Sequence, residues 1–328
     1  MNVKDRINAY EKEYLSPFAF FSADTKGRDK PVSPDDTRGE FQRDRDRIIH
    51  CKSFRRLMHK TQVFLSPEHD HYRTRLTHTL EVCQIARTIA RALRLNEDLI
   101  EASALGHDLG HTPFGHAGER VLRRCYDPGF AHYEQSIRVV EILEDLNLTW
   151  AVRDAIRHHT LGGASTLEGD VLREADHIAF INHDIDDAIR AGIISFDDLP
   201  RDATQYLGRT HGRRIETMVR SIVENSEGKD RIIMDDKTRE MTRCLYDFLF
   251  DRVYINSAAK AEESKAEGML EQLYGYFEKN PDAMPVEYTS RLDRDGVGRT
   301  VCDYIACMTD RYAVNTFRRL FVPDSWRG

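Results

Sequence analysis

Apolar residues along this chain recur at three- and four-residue intervals. There is no regular series of alternating apolar and polar runs bounded by turn signals, which argues against a large sheet. The clearest stripe is Val82, Ile85, Ala86, Ile89, Ala90 and Leu93, one face of an amphipathic helix. A second helix is predicted from Asn96-Glu97-Asp98, an N-cap followed by acids in the first turn. It runs through Ile100, Ala104 and Leu105 to His107-Asp108, where Gly110 and Pro113 end it. Upstream, a helix is predicted from Glu40, with Ile48, Cys51 and Phe54 on one face. Residues 22–39 and 66–75 read as polar loops. Downstream, helices are predicted over 116–125, 133–147, 149–159 and about 168–191, the last stopped by Gly192. The stretch 195–236 is polar and broken, and reads as an insertion or peripheral helices. Helical pattern resumes over about 238–278, and a loop at 280–298 precedes a final helix near 299–320. The expected fold class is therefore all-α.

Length and composition narrow this picture. At 328 residues, with 40% apolar and 31% charged residues, the chain can bury a large core and is not a disordered polymer. It reads as one helical body in three segments: an N-terminal segment 1–39, a core 40–195, and peripheral and C-terminal helices 196–328 packed on it. No run approaches the roughly 18 apolar residues of a membrane span, and the charged start lacks an apolar signal region. Six cysteines without a CxxC pair fit reduced thiols and a cytoplasmic location.

Histidine changes the picture most. Eleven of the 14 histidines fall between positions 69 and 183. His107-Asp108 sits at a helix end, where two adjacent side chains can turn toward one ion. His78, four residues before Val82, lies on the inward face of its own helix, and Asp176 occupies an inward position on another. Together His78, His107, Asp108 and Asp176 offer two nitrogens and two oxygens, a set suited to a catalytic divalent ion with open positions. Taken singly, each is an ordinary core or surface residue. Jointly buried, they would be costly without a cation. The segment His111-Thr112-Pro113-Phe114-Gly115-His116-Ala117-Gly118-Glu119 follows at once. His116 and Glu119, three apart, share a helix face, and a His-Glu pair is a common way to orient a proton donor.

The run HDLGHTPFGHAGE, with RTRLTHTLEV upstream and EADHIAFINHDIDDA downstream, resembles the HD-domain superfamily of metal phosphohydrolases. More narrowly, it is similar to the dGTPase-like deoxynucleotide triphosphohydrolases, from RGEFQRDRDRIIHCKSFRRLMHKTQVF at 38–64 to DYIACMTDRYA at 303–313. The resemblance implies an HD-domain helical fold with peripheral helical elaborations. It implies a divalent metal (Mn, Mg, Fe, Co, Ni or Zn) held by His78, His107, Asp108 and Asp176. It makes His116 and Glu119 a catalytic pair, with His132 and His111 on the phosphate side. Arg75 would contact phosphate oxygens. Gln62 and Asp184 would lie by the deoxyribose, and Phe180 against the sugar or base. Asp176, Phe180 and Asp184 follow one helical stripe. His177 stands where relatives often carry Arg or Lys toward the phosphates, and Phe180 where many carry Tyr.

The implied reaction converts a dNTP and water into deoxynucleoside and tripolyphosphate. A dNTP substrate, dNTP activation and a homo-oligomer follow from the resemblance, with no membrane partner and nucleic acid a secondary one. Two other readings compete: an HD-domain nucleotidase or phosphodiesterase, and a nucleotide- or nucleic-acid-binding regulator with a structural metal. Charge bears on the last. The whole chain carries −7, yet residues 38–78 net +5, a local basic lining that suits a small phosphate ligand better than a nucleic-acid track. Within it, Arg43, Arg45 and Arg47 are candidates for surface pairing with aspartates. Arg56 and Lys60 are candidates to reach a phosphate.

Overall fold

The computed structural model describes residues 3–33, 35–62, 72–255 and 259–323. Among them are 17 α-helices and no strand beyond an isolated bridge between Thr61 and Thr74. The first nine are α1 (Val3–Tyr14), α2 (Glu40–His50), α3 (Lys52–Arg56), α4 (Arg75–Leu93), α5 (Glu97–Gly106), α6 (His116–Cys125), α7 (His132–Arg138), α8 (Trp150–His158) and α9 (Leu167–Arg190). The remainder are α10 (Arg201–Leu207), α11 (His211–Ser226), α12 (Asp236–Leu249), α13 (Ala259–Lys279), α14 (Val286–Thr289), α15 (Leu292–Asp295), α16 (Val297–Cys307) and α17 (Asp310–Phe321). A π-turn extends α7 over Val139–Leu143, and another extends α12 over Phe250–Ile255.

The core is the junction of α4, α5 and α9. Val82, Ile85 and Ile89 from α4 are buried with Leu99 and Ile100 from α5 and Ile178, Ile181 and Ile185 from α9. These are the positions of the apolar stripes, so burial of one face of each helix drives their assembly. The α5 N-cap forms as predicted, with the Asn96 side chain accepting from Leu99 N at 3.2 Å. Gly110, just past α5, lies against α7. A Cβ there would sit 2.1 Å from Ser136 N, so only glycine permits this backbone contact. Ser136 Oγ seals it, accepting from Gly110 N at 2.9 Å and donating to His107 O at 2.7 Å.

Several predicted elements differ in detail. The helix from Glu40 breaks at Cys51, whose sulfur accepts from Phe54 N and caps α3. The predicted 133–147 helix keeps only α7 and its π-turn. The predicted final helix is two, because Thr309 caps a new one at α17. The expected 280–298 loop contains α14 and α15. The helix α1 was not predicted, although Val3, Ile7, Tyr10 and Tyr14 recur at helical spacing; none of the four is fully buried. It docks through buried Glu11, which accepts from Ser22 N at 2.7 Å and from Asn96 Nδ2 at 3.1 Å. In the broken stretch after α9, α11 packs on α4 and α9, and its buried Arg214 donates to Asn182 at 2.8 Å. The polar loop expected at 66–75 is described only from residue 72, so His69 and His71 lie outside the described residues.

The basic segment is largely consumed by structure. Arg38 and Arg45 both pair with Asp46, and Arg47 donates to the carbonyls of Leu146 and Asn147. Asp44 is buried and bonded to Arg28 and Thr149. Lys60 does not face solvent. It is buried against the carbonyls of His111 and Ala306, so it is not available to a phosphate.

Candidate active site

Three helices bring the expected ligand set together. His78 comes from the first turn of α4, His107-Asp108 from the turn after α5, and Asp176 from the middle of α9. His78 Nε2 lies 3.1 Å from Asp176 Oδ1. His107 Nε2 lies 3.8 Å from Asp176 Oδ1 and 3.7 Å from Asp108 Oδ1. His107 Nδ1 is 2.6 Å from the carbonyl of Ala104, which can only accept. The ring proton therefore sits on Nδ1, and the Nε2 lone pair faces the two carboxylates. Among the described residues that buried nitrogen has no hydrogen-bond partner. A lone pair held against two carboxylates in a buried site is unfavourable unless a cation stands between them. The donor set thus fits a divalent metal. Burial works against ionisation of Asp108, but His107 and Arg75 hold its carboxyl well below the usual range. The His78 hydrogen bond and His107 do the same for Asp176 against its burial.

Arg75, at the first position of α4, donates to Asp108 Oδ2 at 2.8 Å. It thereby fixes which Asp108 oxygen turns toward His107. His183 backs His78, with the two Nδ1 atoms 3.2 Å apart. His159 was given no role by sequence, yet the structure groups it with His107 and Asp108. Its Nδ1 faces the Ile156 carbonyl at 2.7 Å, so its Nε2, like that of His107, is left unprotonated. Burial, then the neighbouring His107, pushes His159 down to about 4, which keeps it neutral.

A second cluster adjoins the first. His111 and His132 group with Asp108, and their rings stack 4.8 Å apart. Glu119 Oε2 lies 3.4 Å from both His116 Nδ1 and His132 Nδ1, while Arg123 donates to Oε1 at 2.9 Å. Burial opposes its charge, but His116 and His132 beside it hold Glu119 far below the ordinary range. His116 begins α6, and its ring is mostly exposed. His111 is buried, and burial followed by the Arg75 charge keeps it neutral.

Beyond His116 a cavity of about 450 Å³ opens, lined by Gln62, Phe114, Phe180, Asp184, Tyr246 and Tyr254 among others. Phe180 stacks on Tyr254 at 5.8 Å, and Tyr254 donates its hydroxyl to Asp184 Oδ2. Burial raises Asp184 to about 7, opposed by that hydroxyl. Gln62 Oε1 and Asp184 Oδ1 are buried acceptors with no partner among the described residues. His177 stands at the edge, its ring 5.8 Å from that of Tyr246. Every sequence-predicted site residue thus falls in one of these connected groups or on their rim. The aromatic wall Tyr246, Phe250 and Tyr254 was missed. Its i, i+4, i+8 spacing is visible in the sequence, but reads as ordinary core.

A helical body with a buried His/His-Asp/Asp cluster is the arrangement of an HD-domain phosphohydrolase. The HD domain family model matches residues 75–181, and that of the phosphohydrolase-associated domain matches 232–319. A deoxyguanosinetriphosphate triphosphohydrolase-like protein of Caldanaerobacter subterraneus subsp. tengcongensis is 56% identical, over 99% of this chain and 98% of its own. Proteins of the same description from Desulfatibacillum aliphaticivorans and Clostridium perfringens are 46% and 45% identical. The first alignment covers 98% of this chain and 99% of the relative, the second 98% of each. The chain belongs to this deoxyguanosinetriphosphate triphosphohydrolase-like family. HD domains bind divalent metals, and the His/Asp groups here are of the kind that hold one. Among the described residues no helix is long and apolar enough to cross a membrane.

Proposed function

We propose that this protein hydrolyses deoxynucleoside triphosphates to deoxynucleoside and tripolyphosphate. The observation that carries the reading is a pair of buried acceptors without a partner among the described residues, Gln62 Oε1 and Asp184 Oδ1, in an aromatic-lined cavity beside the His/Asp cluster. Buried acceptors demand donors, and a sugar hydroxyl supplies one while a base fills the aromatic wall. Phe180 carries no hydroxyl, so its ring offers only a packing face to the sugar.

His78, His107, Asp108 and Asp176 would hold the divalent ion, with His159 as a further neutral donor. When bound, the ion supplies Lewis-acid polarisation of the α-phosphate and positions a water. Arg75 stands where it can share its charge between Asp108 and phosphate oxygens. The His111 and His132 rings line the phosphate side. In the reaction a water oxygen bonds to the α-phosphorus, the bond from that phosphorus to the 5′-oxygen breaks, and the water's proton passes to solvent. His116 gives its proton to the departing 5′-oxygen. Glu119, its Oε2 3.4 Å from His116 Nδ1, orients the ring for that transfer. The supporting names are those of the relatives, each described as deoxyguanosinetriphosphate triphosphohydrolase-like. The partners that follow are a dNTP substrate, a dNTP activator and further copies of the chain, working in the cytoplasm.

The test is deoxynucleoside release from each of the four dNTPs by protein stripped of metal and then reloaded with single divalent ions. Release that depends on the ion and is lost in His116→Ala at unchanged metal content supports the reading. No release from any dNTP with any ion sinks it.

A further inference from the structure

We infer that Asp310, in the phosphohydrolase-associated part of the chain, is a positioning residue for the loop that presents His116. The inference rests on the proposed function for its catalytic arm, but not for its structural arm.

The loop before α6 is backbone that needs external support. Phe114 has φ +58° and Gly115 has φ +58° with ψ −132°. A left-handed φ is strained for a residue with a branched or bulky side chain, and persists only where the surroundings over-determine it. The strain sits immediately before His116, whose ring is mostly exposed and is met at Nδ1 by Glu119 at 3.4 Å. The backbone beneath it sets where the ring starts from, and hence whether it reaches Glu119.

That backbone is held from the other end of the chain. Asp310 Oδ1 accepts from Phe114 N at 2.9 Å, and Oδ2 accepts from Thr61 N at 2.9 Å. One buried carboxylate thus bridges the amide two residues before His116 and the amide one residue before Gln62. Gln62 and Phe114, on these two loops, both line the cavity. Lys60 completes the clamp. Its buried ammonium donates to Ala306 O at 2.8 Å and to the carbonyl of His111. Ala306 lies in the last turn of α16, where carbonyls lack helical partners and favour a cation, and Lys60 supplies it. Asp310 opens α17, where the helix end favours an anion and Thr309 caps the amide of Tyr312. Charge-assisted hydrogen bonds to backbone are strong and directional. None of the four expected metal ligands lies on this path, so the clamp acts on loop geometry alone.

The variant is Asp310→Asn, which keeps size and one acceptor but loses the carboxylate. Hydrogen exchange of the unliganded protein is expected to accelerate at residues 59–62 and 112–116 while that of α9 is unchanged. With a dNTP, kcat is expected to fall roughly tenfold or more, since small misplacements of a reacting group are costly, at unchanged bound metal. Should Asp310→Asn not fold, Asp310→Glu retains the charge, displaces it by one methylene and serves the same comparison. Unchanged exchange in both loops overturns the inference, as does acceleration spread evenly over the molecule. If wild-type protein hydrolyses no dNTP, the proposed function fails while the exchange result still decides the clamp.

Discussion

Asp184 is where the account of substrate choice rests on a single atom. Its Oδ2 is taken by Tyr254, and its buried Oδ1 has no partner among the described residues. A ligand hydroxyl bonded to Oδ1 is worth about 1–3 kcal/mol, so kcat/KM for a dNTP is expected to exceed that for the 3′-deoxy analogue by about tenfold or more. In Asp184→Ala that preference is expected to collapse; steady-state kinetics on both substrates in both proteins checks it, and equal discrimination in the two contradicts it. His159 is the second residue-scale case. Asn in its place can still donate to the Ile156 carbonyl while deleting the nitrogen that faces His107 and Asp108. His159→Asn is expected to weaken metal binding by about tenfold or more, as loss of groups around a metal commonly does. Chelator competition measures this, and unchanged affinity would remove His159 from the centre. The four expected ligands were legible because each could be placed on an inward stripe or a helix end. His159 was not, because in the pair His158-His159 nothing in the sequence says which ring turns inward. The structure decides by packing: His159 is buried, while His158 turns outward onto Asp154.

At the scale of elements, the helices that carry the site were readable and their breaks were not. The stripe of α4, the N-cap of α5 and the length of α9 follow from periodicity and capping residues. The interruption at Cys51 and the elbow at Thr309 depend on a sulfur and a hydroxyl taking up one amide each, signals weaker than an apolar repeat. The α1 helix escaped because it docks by polar contacts around Asn96. Asn96 caps α5, donates to Glu11 and to Phe20 O, and gives its own amide to Glu168. Asn96→Ala is expected to cost about 2 kcal/mol, combining a lost cap with stranded acceptors, as read by urea unfolding. Glu168 adds a pH dependence. Burial raises it to about 7, against hydrogen bonds from Asn96 and Phe20. The folded state thus holds a proton that the unfolded chain releases near 4.5. Stability contributed by that group falls as pH rises from about 4.5 to about 7 and is level above. Glu168→Gln keeps an acceptor but cannot ionise. Its unfolding free energy relative to wild type is therefore expected to rise between pH 5 and pH 8, on the order of 2–3 kcal/mol. A difference that does not change with pH would contradict the assignment.

For the whole molecule, the sequence conveyed an all-helical body and a His/Asp cluster of the kind that can hold a metal, but not how the C-terminal part serves the site. The two regions matched by family models, 75–181 and 232–319, meet at the cavity. The second contributes Tyr246 and Tyr254 to its wall and Asp310 to the loop beneath His116. These contacts join residues up to 196 positions apart, and local periodicity carries no trace of them. The local charge of residues 38–78 misled in the opposite direction, since Lys60 and Arg47 serve helix ends and loop carbonyls. What remains central is the bond that breaks. On the proposed function, an acid at His116 beside a cavity that takes the sugar would deliver its proton to the 5′-oxygen, and the triphosphate would leave whole. Phosphorus NMR of the first products from metal-loaded protein and a dNTP tests this most directly. Tripolyphosphate with free deoxynucleoside is expected from the earliest time point. Deoxynucleoside monophosphate with pyrophosphate, or diphosphate with orthophosphate, as the initial products would contradict it.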